Sequence, residues 1–480
     1  MEKFLLIKTN KGNTYYYSVS DRWIMYLHPV VAYLSEKATK HDSINLSDVY
    51  LQFGDSYNKE EIDSYVAYFN RLYDTGFFDN EKHPSQSAHF NTKITPKIVQ
   101  DSLCNCPQLV IEVTEQCSLA CQYCIYGDIY SSFSQRSYGN MDKEMAKKMI
   151  DFMFSLWLSQ DNQSPFDDRY IGFYGGEPLL NIALIKELVL YTENKKQSTD
   201  ASFPIKFTIT TNGLLLPNHI DFLVEHNFEV LISLDGERED NAARVFKNGQ
   251  NSFDSIINSI TTIQERYPAF FKNNVSFNAV YNKYSDFERI DSFFKSHGFK
   301  YRITELNPFF EHAKGNLLYK RMKDNTETSL YEKFEYSDYS LEDFYSFFTE
   351  IHNSYLSFGA PKNNTIIPTG ACLPFSRKLF LTVQGLVLHC ETIPHKHALG
   401  HASSKDVTID FEKCAEYFNS YYNKLIPSCI NCYRSQNCKM CFFLHMDDCN
   451  DSCPLFMDNI AFKRFLVKFL DYLESHPSIR

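Results

Sequence analysis

Cys117, Cys121 and Cys124 stand in the run Glu115-Gln-Cys-Ser-Leu-Ala-Cys-Gln-Tyr-Cys-Ile-Tyr126. Three thiols at Cx3CxxC spacing can ligate three corners of a [4Fe–4S] cluster and leave the fourth iron without a protein ligand. A cluster built only for electron transfer usually has four Cys ligands, whereas an open iron can bind a substrate or cofactor. The competing reading is three buried thiols or a zinc loop, although zinc normally takes four ligands in paired short spacings. The apolar run Leu109-Val-Ile-Glu-Val113 lies just upstream and reads as a buried strand. The thiols therefore sit on a loop at the carboxyl end of a strand, the end where α/β barrels build their active sites.

The whole chain gives this loop a setting. Its 480 residues are long enough for roughly two to four domains. A net charge of −11 does not suggest a nucleic-acid partner. The amino terminus lacks the long apolar core of a signal peptide, and no stretch approaches the ~18 apolar residues of a membrane span. The expected location is cytoplasmic, with no membrane partner. There, fourteen Cys argue for metal binding over disulfides. Five of them lie between 104 and 124 and nine between 372 and 453, a clustering that scattered core thiols would not show.

Between the two Cys clusters, strand and helix signals alternate. Lys143 to Leu158 reads as a helix with Met145, Met149, Phe152, Met153 and Leu156 on one face. Arg169 to Tyr174 is a strand, followed by Gly175-Gly-Glu-Pro178 and a helix through Leu184 and Leu188. Ile205 to Thr210 is a strand ending at Thr211-Asn-Gly213. Glu229 to Leu234 is another, ending at Asp235-Gly236. Ser252 to Arg266 is a helix with Phe253, Ile256, Ile257 and Ile260 inward. Val275 to Val280 is a strand, Asp286 to Ser296 a helix and Phe299 to Leu306 a last strand. Such regular alternation implies parallel strands with right-handed crossovers. Six β/α units fit a partial barrel better than a complete eight-unit one.

The Cx3CxφC loop, with Tyr123 at the aromatic position, resembles that of the radical S-adenosylmethionine (SAM) enzymes. In that family the open iron chelates the amino and carboxylate groups of SAM's methionine, and reductive cleavage yields a 5′-deoxyadenosyl radical. Gly175-Gly176-Glu177-Pro178 matches the family's GGEP motif, whose Glu and carbonyls can accept hydrogen bonds from the methionine ammonium; a plain tight turn before a helix is the alternative. Ser233-Leu-Asp-Gly236, with Arg244 eight residues beyond, is similar to the SxDG…R pattern of the peptide- and protein-modifying branch. The resemblance implies Ser233 on the ribose and Arg244 on the methionine carboxylate. Asp240-Asn241 replaces the usual His-Asp before that Arg. Asn212, in its Asn-Gly turn, is a further candidate contact.

In the last third, Cys372 is followed by twelve residues, Gly385, four residues and Cys390. Cys429-x2-Cys432-x5-Cys438-x2-Cys441 comes next, then Cys449 and Cys453. This resembles the SPASM extension, which holds two auxiliary [4Fe–4S] clusters, with one residue fewer between Cys438 and Cys441 than the family pattern. It implies Cys372, Cys390 and Cys441 at auxiliary cluster I, and Cys429, Cys432, Cys438 and Cys453 at cluster II. Cys449 rivals Cys453, and Cys414 or Cys449 could complete cluster I. Paired CxxC units are also a zinc signature. His389, His395, His397 and His401 read as surface hairpin residues. Glu391 follows Cys390 where sulfatase-maturing relatives carry a proton-accepting acid, and a raised pKa would suit it to act as a base. Cys104 and Cys106 read as structural or spare thiols.

The amino-terminal segment reads β-β-α-α: Phe4 to Lys8 and Tyr15 to Val19 as a hairpin, then helices at Pro29–Ser35 and Glu60–Tyr73. This order resembles the winged-helix recognition element of enzymes for ribosomally made, post-translationally modified peptides (RiPPs), which binds a leader peptide as an added strand. The expected organisation is an α/β protein. A leader-binding domain spans 1–95, with a polar linker at 80–105. A partial (β/α)6 TIM-like radical SAM barrel spans 105–310, a helical bridge 311–365 and a SPASM domain 366–480, closed by an amphipathic helix from Ile460 to Leu473. The resemblance implies an oxidoreductase-type, SAM-dependent peptide maturase. It would form a thioether or carbon–carbon cross-link on a precursor peptide with a leader, with flavodoxin or ferredoxin as reductant. An anaerobic sulfatase-type maturase making formylglycine and a non-catalytic iron–sulfur or zinc scaffold are the alternatives.

Overall fold

The computed structural model describes residues 2–19, 21–79, 93–130, 137–165, 167–306, 321–322, 373–435 and 456–475. The bridge at 311–365 therefore lies outside the described residues except for Arg321 and Met322. At the amino terminus, β1 (Phe4–Lys8), β2 (Thr14–Ser18) and β3 (Ile24–Leu27) form an antiparallel sheet with β2 in the centre. Helices α1 (Pro29–Thr39), α2 (Leu46–Phe53) and α3 (Lys59–Asp74) follow. The expected hairpin is present, with Phe4 opposite Ser18 and Lys8 opposite Thr14. β3 and α2 are additions to the expected order. A four-residue strand, and an eight-residue helix that buries only Val49, carry too little periodicity to read in advance. α3 begins at a capping box between Asn58 and Glu61.

Side chains alternate across β1 and β2, so this sheet is apolar on both faces. Phe4, Tyr16 and Leu27 pack on α1 to α3. Leu5, Ile7, Tyr17 and Val19 pack on Phe462, Leu466, Phe469 and Leu470 near the carboxyl terminus. Next comes α4 (Pro96–Cys104), inside the segment expected to be linker. Thr95 caps it through the Ile98 amide (3.3 Å), Pro96 occupies the first turn, and Val99, Leu103 and Cys104 are buried. A helix this short and polar on one face was masked by its composition.

The centre is an α/β layer structure on a mostly parallel sheet. β4 (Gln108–Thr114), β5 (Arg169–Gly175), β6 (Ile205–Thr211), β7 (Glu229–Ser233), β8 (Val275–Tyr281) and β9 (Tyr301–Glu305) lie side by side in chain order, all parallel. α5 (Lys143–Trp157), α6 (Ile182–Ser198), α7 (Leu216–Glu225), α8 (Phe253–Arg266), α9 (Pro268–Asn274) and α10 (Phe287–Ser296) intervene. The buried face of α5 is Met145, Ala146, Met149, Ile150, Met153, Phe154 and Trp157, with the expected Phe152 and Leu156 only partly covered. In α8, Ile256 and Ile260 are inward as expected, with Ser259 and Ile263.

The sheet continues beyond β4. β10 (Leu379–Leu381) pairs parallel to β4, and β11 (Leu386–Leu388), β12 (Gly400–Ala402) and β13 (Val407–Ile409) follow antiparallel, giving ten strands. The hydrogen-bonded sheet thus crosses the boundary expected near 366. Gly385 turns β10 into β11 at φ +83°, where a Cβ would lie 2.4 Å from the Ala402 carbonyl. α11 (Phe411–Ile430) and the closing α12 (Asn459–Ser475) complete the described chain. No described helix is long and apolar enough to cross a membrane.

α12 also holds the amino-terminal sheet by polar contacts. One oxygen of Glu474 accepts from Thr9 Oγ1 (3.1 Å), Asn13 Nδ2 (2.9 Å) and Tyr15 Oη (3.0 Å), and Asp471 accepts from the Asn10 amide (2.9 Å). Glu474→Ala is expected to cost about 1–3 kcal/mol. Hydrogen exchange would register this as faster exchange in β1 and β2, with the parallel strands unchanged.

Candidate functional site

Leaving β4 at Thr114, the Cys loop is gripped from both sides by backbone. On one side the Gly176 amide donates to the Thr114 carbonyl (2.9 Å) and the Glu177 amide to that of Gln116 (2.7 Å). On the other, the Ala120 amide donates to Val245 (2.8 Å) and that of Gln122 to Ala243 (2.9 Å). Gly175 sits at φ +139°, and a Cβ there would stand 2.2 Å from the Thr114 carbonyl oxygen. A Cβ on Gly176 would stand 2.2 Å from the Gln116 oxygen. The close approach these glycines permit is to the Cys loop itself.

The Glu177 carboxylate is fully buried and occupied by protein donors. It accepts from Thr211 Oγ1 (2.7 Å), the Leu179 amide (3.1 Å) and the Asn212 amide (2.8 Å). It thereby clips the GGEP turn to the Thr211-Asn212-Gly213 turn. Burial raises its pKa to about 6, against the pull of those hydrogen bonds. Asn212 reaches the Cys loop, with Nδ2 3.1 Å from Ser118 Oγ and 3.9 Å from Cys117 Sγ.

Beneath Cys121 lies a buried polar group. Arg244 Nη2 donates to Tyr123 Oη (2.5 Å) and to Asp235 Oδ1 (3.2 Å), and Tyr123 donates to Asp235 Oδ2 (2.5 Å). Arg244 Nη1 lies 3.8 Å from Cys121 Sγ. The departure at Asp240-Asn241 is accommodated locally. Asp240 takes both prongs of Arg289 (2.9 and 2.7 Å), and Asn241 Oδ1 accepts the Asp235 amide (3.3 Å). Ser233 ends β7 opposite Asn278 and is half-buried.

Cys117, Cys121 and Cys124 line one cavity of about 1060 Å³, with Gln116, Ser118, Gly176, Lys247 and Lys283 also on its walls. Burial pushes the Cys117 thiol up and that of Cys121 to about 12, and Cys124 adds to both shifts. The thiols are thus near enough to feel one another's charge. Among the described residues no three His, Cys, Asp or Glu gather as they would around a single ion. A cluster instead spreads its ligands over different irons. Three thiols lining one cavity, with a cation beside one of them, are a donor set that fits a [4Fe–4S] cluster, which Cys117, Cys121 and Cys124 would hold. Iron must displace the thiol protons on binding.

Asp235, Thr211 and Glu115 were not read as site residues. Glu115 is buried and accepts from the Ser137 amide (2.8 Å), Ser137 Oγ (2.7 Å), the Gly139 amide (3.2 Å) and Gln384 Nε2 (3.2 Å). It ties the start of the Cys loop to the β10–β11 turn. Only its position two residues before Cys117 could have flagged it.

Cys390 lies just beyond β11, half-buried, with Glu391 Oε2 at 3.4 Å. Burial alone would push the Glu391 carboxyl up, but the Lys378 ammonium at 2.9 Å outweighs it and holds the pKa low. The raised pKa expected of Glu391 is therefore reversed. Cys429 and Cys432 stand at the end of α11, where the Met457 amide donates to Cys432 Sγ (3.4 Å). Cys372, Cys438, Cys441, Cys449 and Cys453 lie outside the described residues. Cys414 is in the core, its thiol directed at the Leu399 carbonyl (3.5 Å). Cys104 and Cys106 are buried, as structural thiols would be. The histidine expectation fails for three of four. His389, His395 and His397 are buried and only His401 is exposed, because the hairpin packs into the main sheet. His389 accepts the Phe375 amide (2.9 Å).

A mostly parallel α/β sheet with a three-thiol loop at its carboxyl edge defines the class, and residues 111–293 match the family model described as the Radical SAM superfamily. The chain carries a radical SAM domain. It is 26% identical over 282 residues to the radical SAM cyclopropyl synthase TigE of Paramaledivibacter caminithermalis, covering 55% of this chain and 54% of that protein. It is 29% identical over 196 residues to the cysteine-type anaerobic sulfatase-maturating enzyme of Clostridium novyi, covering 40% and 49%. The chain thus spans about half the length of the curated relatives it matches. The solved structure of native anSMEcpe with bound AdoMet aligns at TM-score 0.54 and 20% identity, over 77% of this chain and 97% of that one, a likeness of fold.

Two outcomes follow from this geometry. Gly176→Ala should displace the Cys loop and lower bound iron by about four per chain, the content of one [4Fe–4S] cluster, in anaerobic iron analysis. Because folding raises the Glu177 pKa from 4.5 to about 6, the folded state holds that proton more tightly than the unfolded chain. The apoprotein should therefore lose about 2 kcal/mol of stability as pH rises through that window. Urea midpoints measured across it should lose this component in Glu177→Gln.

Proposed function

We propose that the chain is a radical SAM enzyme that modifies a ribosomally made peptide, forming a thioether or carbon–carbon cross-link. The observation that carries this reading is Cys117, Cys121 and Cys124 lining one large cavity at the carboxyl edge of the parallel strands. Cys117, Cys121 and Cys124 would hold a [4Fe–4S] cluster there, and with SAM bound it would supply the one-electron radical chemistry needed to activate an unreactive carbon–hydrogen bond. The residues of the chain shape and hold that place. Gly175 and Gly176 keep the Cys loop against the end of β5. Glu177 fixes the turns after β5 and β6 relative to each other. Tyr123, Asn212, Ser233 and Arg244 are the cofactor-contact candidates around the loop, on strands that would form a partial (β/α)6 barrel.

Cys372, Cys390 and Cys441 are assigned to auxiliary cluster I of a SPASM domain at 366–480. Cys429, Cys432, Cys438 and Cys453 are assigned to cluster II. The unit at 1–95 is read as the leader-binding domain. Its β3 is paired on one side only among the described residues, with Tyr26 exposed, and an extended peptide can add to such an edge. A relative named for cyclopropane synthesis supports the bond-forming reading. Relatives named as sulfatase-maturating enzymes favour a second reading, oxidation of a Cys or Ser to formylglycine, with Glu391 as the base. A cytoplasmic location and a flavodoxin or ferredoxin reductant complete the proposal.

Anaerobic reconstitution tests it. About twelve irons per chain, the content of three [4Fe–4S] clusters, are expected, with 5′-deoxyadenosine formed from SAM after reduction. Cys121→Ala should lose about four irons and all deoxyadenosine. Zinc in place of iron, with SAM intact, would leave a binding scaffold.

A further inference from the structure

The three candidate ligand sulfurs have unequal surroundings. Cys117 Sγ accepts from neutral donors only, the Leu119 amide (3.4 Å) and Asn212 Nδ2 (3.9 Å). Cys124 Sγ has no hydrogen-bond donor among the described residues. Cys121 Sγ faces the Arg244 guanidinium, with Nη1 at 3.8 Å.

That guanidinium has little freedom to move. Arg244 is 6% exposed, bonded to Tyr123 and Asp235 through Nη2, with its Cζ 5.5 Å from the Tyr123 ring centroid. Its Nε is buried without a hydrogen-bond partner among the described residues. Asp235 is itself pinned, with Oδ1 accepting the Val280 amide (3.0 Å) and its own amide held by Asn241. Asn241 in turn donates toward Asn251 Oδ1 (3.2 Å) and Ser252 Oγ (3.4 Å). A fixed cation therefore stands on one ligand sulfur, partly offset by a fixed anion behind it. Hydrogen bonds and net charge at the ligand sulfurs are what set the potential of an iron–sulfur cluster, and a charged donor acts more strongly than a neutral one.

We propose that Arg244 is a positioning residue that raises the reduction potential of the cluster through the Cys121 sulfur, and that Asp235 opposes it by offsetting the guanidinium charge. This rests on the cluster assignment made above and differs from a role for Arg244 in holding the methionine carboxylate. A carboxylate-holding Arg would matter only with SAM present. A charge on the sulfur acts on the SAM-free cluster and stabilises its one-electron-reduced form.

The test uses the full-length, anaerobically reconstituted protein without SAM, in redox titrations followed by electron paramagnetic resonance. The signal lost in Cys121→Ala identifies this cluster among any others. At a fixed poise near the wild-type midpoint, Arg244→Gln should lower the reduced fraction at least three-fold. Asp235→Asn should shift the midpoint the opposite way, and Arg244→Lys should fall between Arg244→Gln and wild type. Iron content and circular dichroism serve as folding controls. If Arg244→Gln does not retain its iron, Arg244→Lys carries the lower-potential arm. Unchanged SAM-free midpoints with SAM affinity weakened ten-fold or more would overturn the proposal and leave a carboxylate contact. Shifts of the same sign in Arg244→Gln and Asp235→Asn would also overturn it, as a general disturbance of the loop. A wild-type protein that takes zinc and no iron would instead remove the cluster assignment itself, a separate failure read from the metal analysis.

Discussion

Two stretches of backbone that must touch without side chains between them set the geometry of the site. The Cys loop buries Leu119 and Tyr123, and its first residues are set by the turn after β5 pressed against them. Gly175 and Gly176 meet the Thr114 and Gln116 carbonyls at distances that exclude any Cβ. The amides of Gly176 and Glu177 then satisfy those carbonyls. Everything placed relative to the thiols, including Asn212 through Glu177, inherits its position from this contact.

Buried carboxylates do the remaining alignment, each compensated differently. Glu177 has no cation partner among the described residues; two amides and a hydroxyl favour its charged form, but burial outweighs them, and its proton is held more tightly. Asp235 and Asp240 are each paired with an arginine, Arg244 and Arg289. Leaving one member of such a pair buried alone is costly, so the Asp240 substitution is tolerable only because α10 brings Arg289 to it. Asn241 then serves as a neutral clamp on Asp235.

The outer parts of the chain are fastened to this centre by continuous structure. β10 joins β4 directly, the Val383 amide donates to the buried Glu112, and Gln384 reaches Glu115. The Cys390 end of the hairpin is thus rigidly related to the first Cys loop. α12 likewise serves two masters, since it packs on the amino-terminal sheet and begins just after Met457, whose amide meets Cys432.

The alternation of strands and helices and the three-thiol loop at a strand end were legible in the residues, because they depend on local periodicity and short spacing. The six parallel strands begin and end close to where their apolar runs predicted. Less was legible where the signal was short or polar, as with β3, α2 and α4. The roles of Asp235, Thr211 and Glu115, the pairing of Asp240 with Arg289, the lowered pKa of Glu391 and the burial of three hairpin histidines were decided by tertiary structure alone. Each depends on partners that the fold brings in, from 13 residues away for Lys378 and Glu391 to 269 for Gln384 and Glu115. A residue's chemical type is written in the chain, but its charge state and its contacts follow from what the fold brings beside it and from how much water that neighbour displaces.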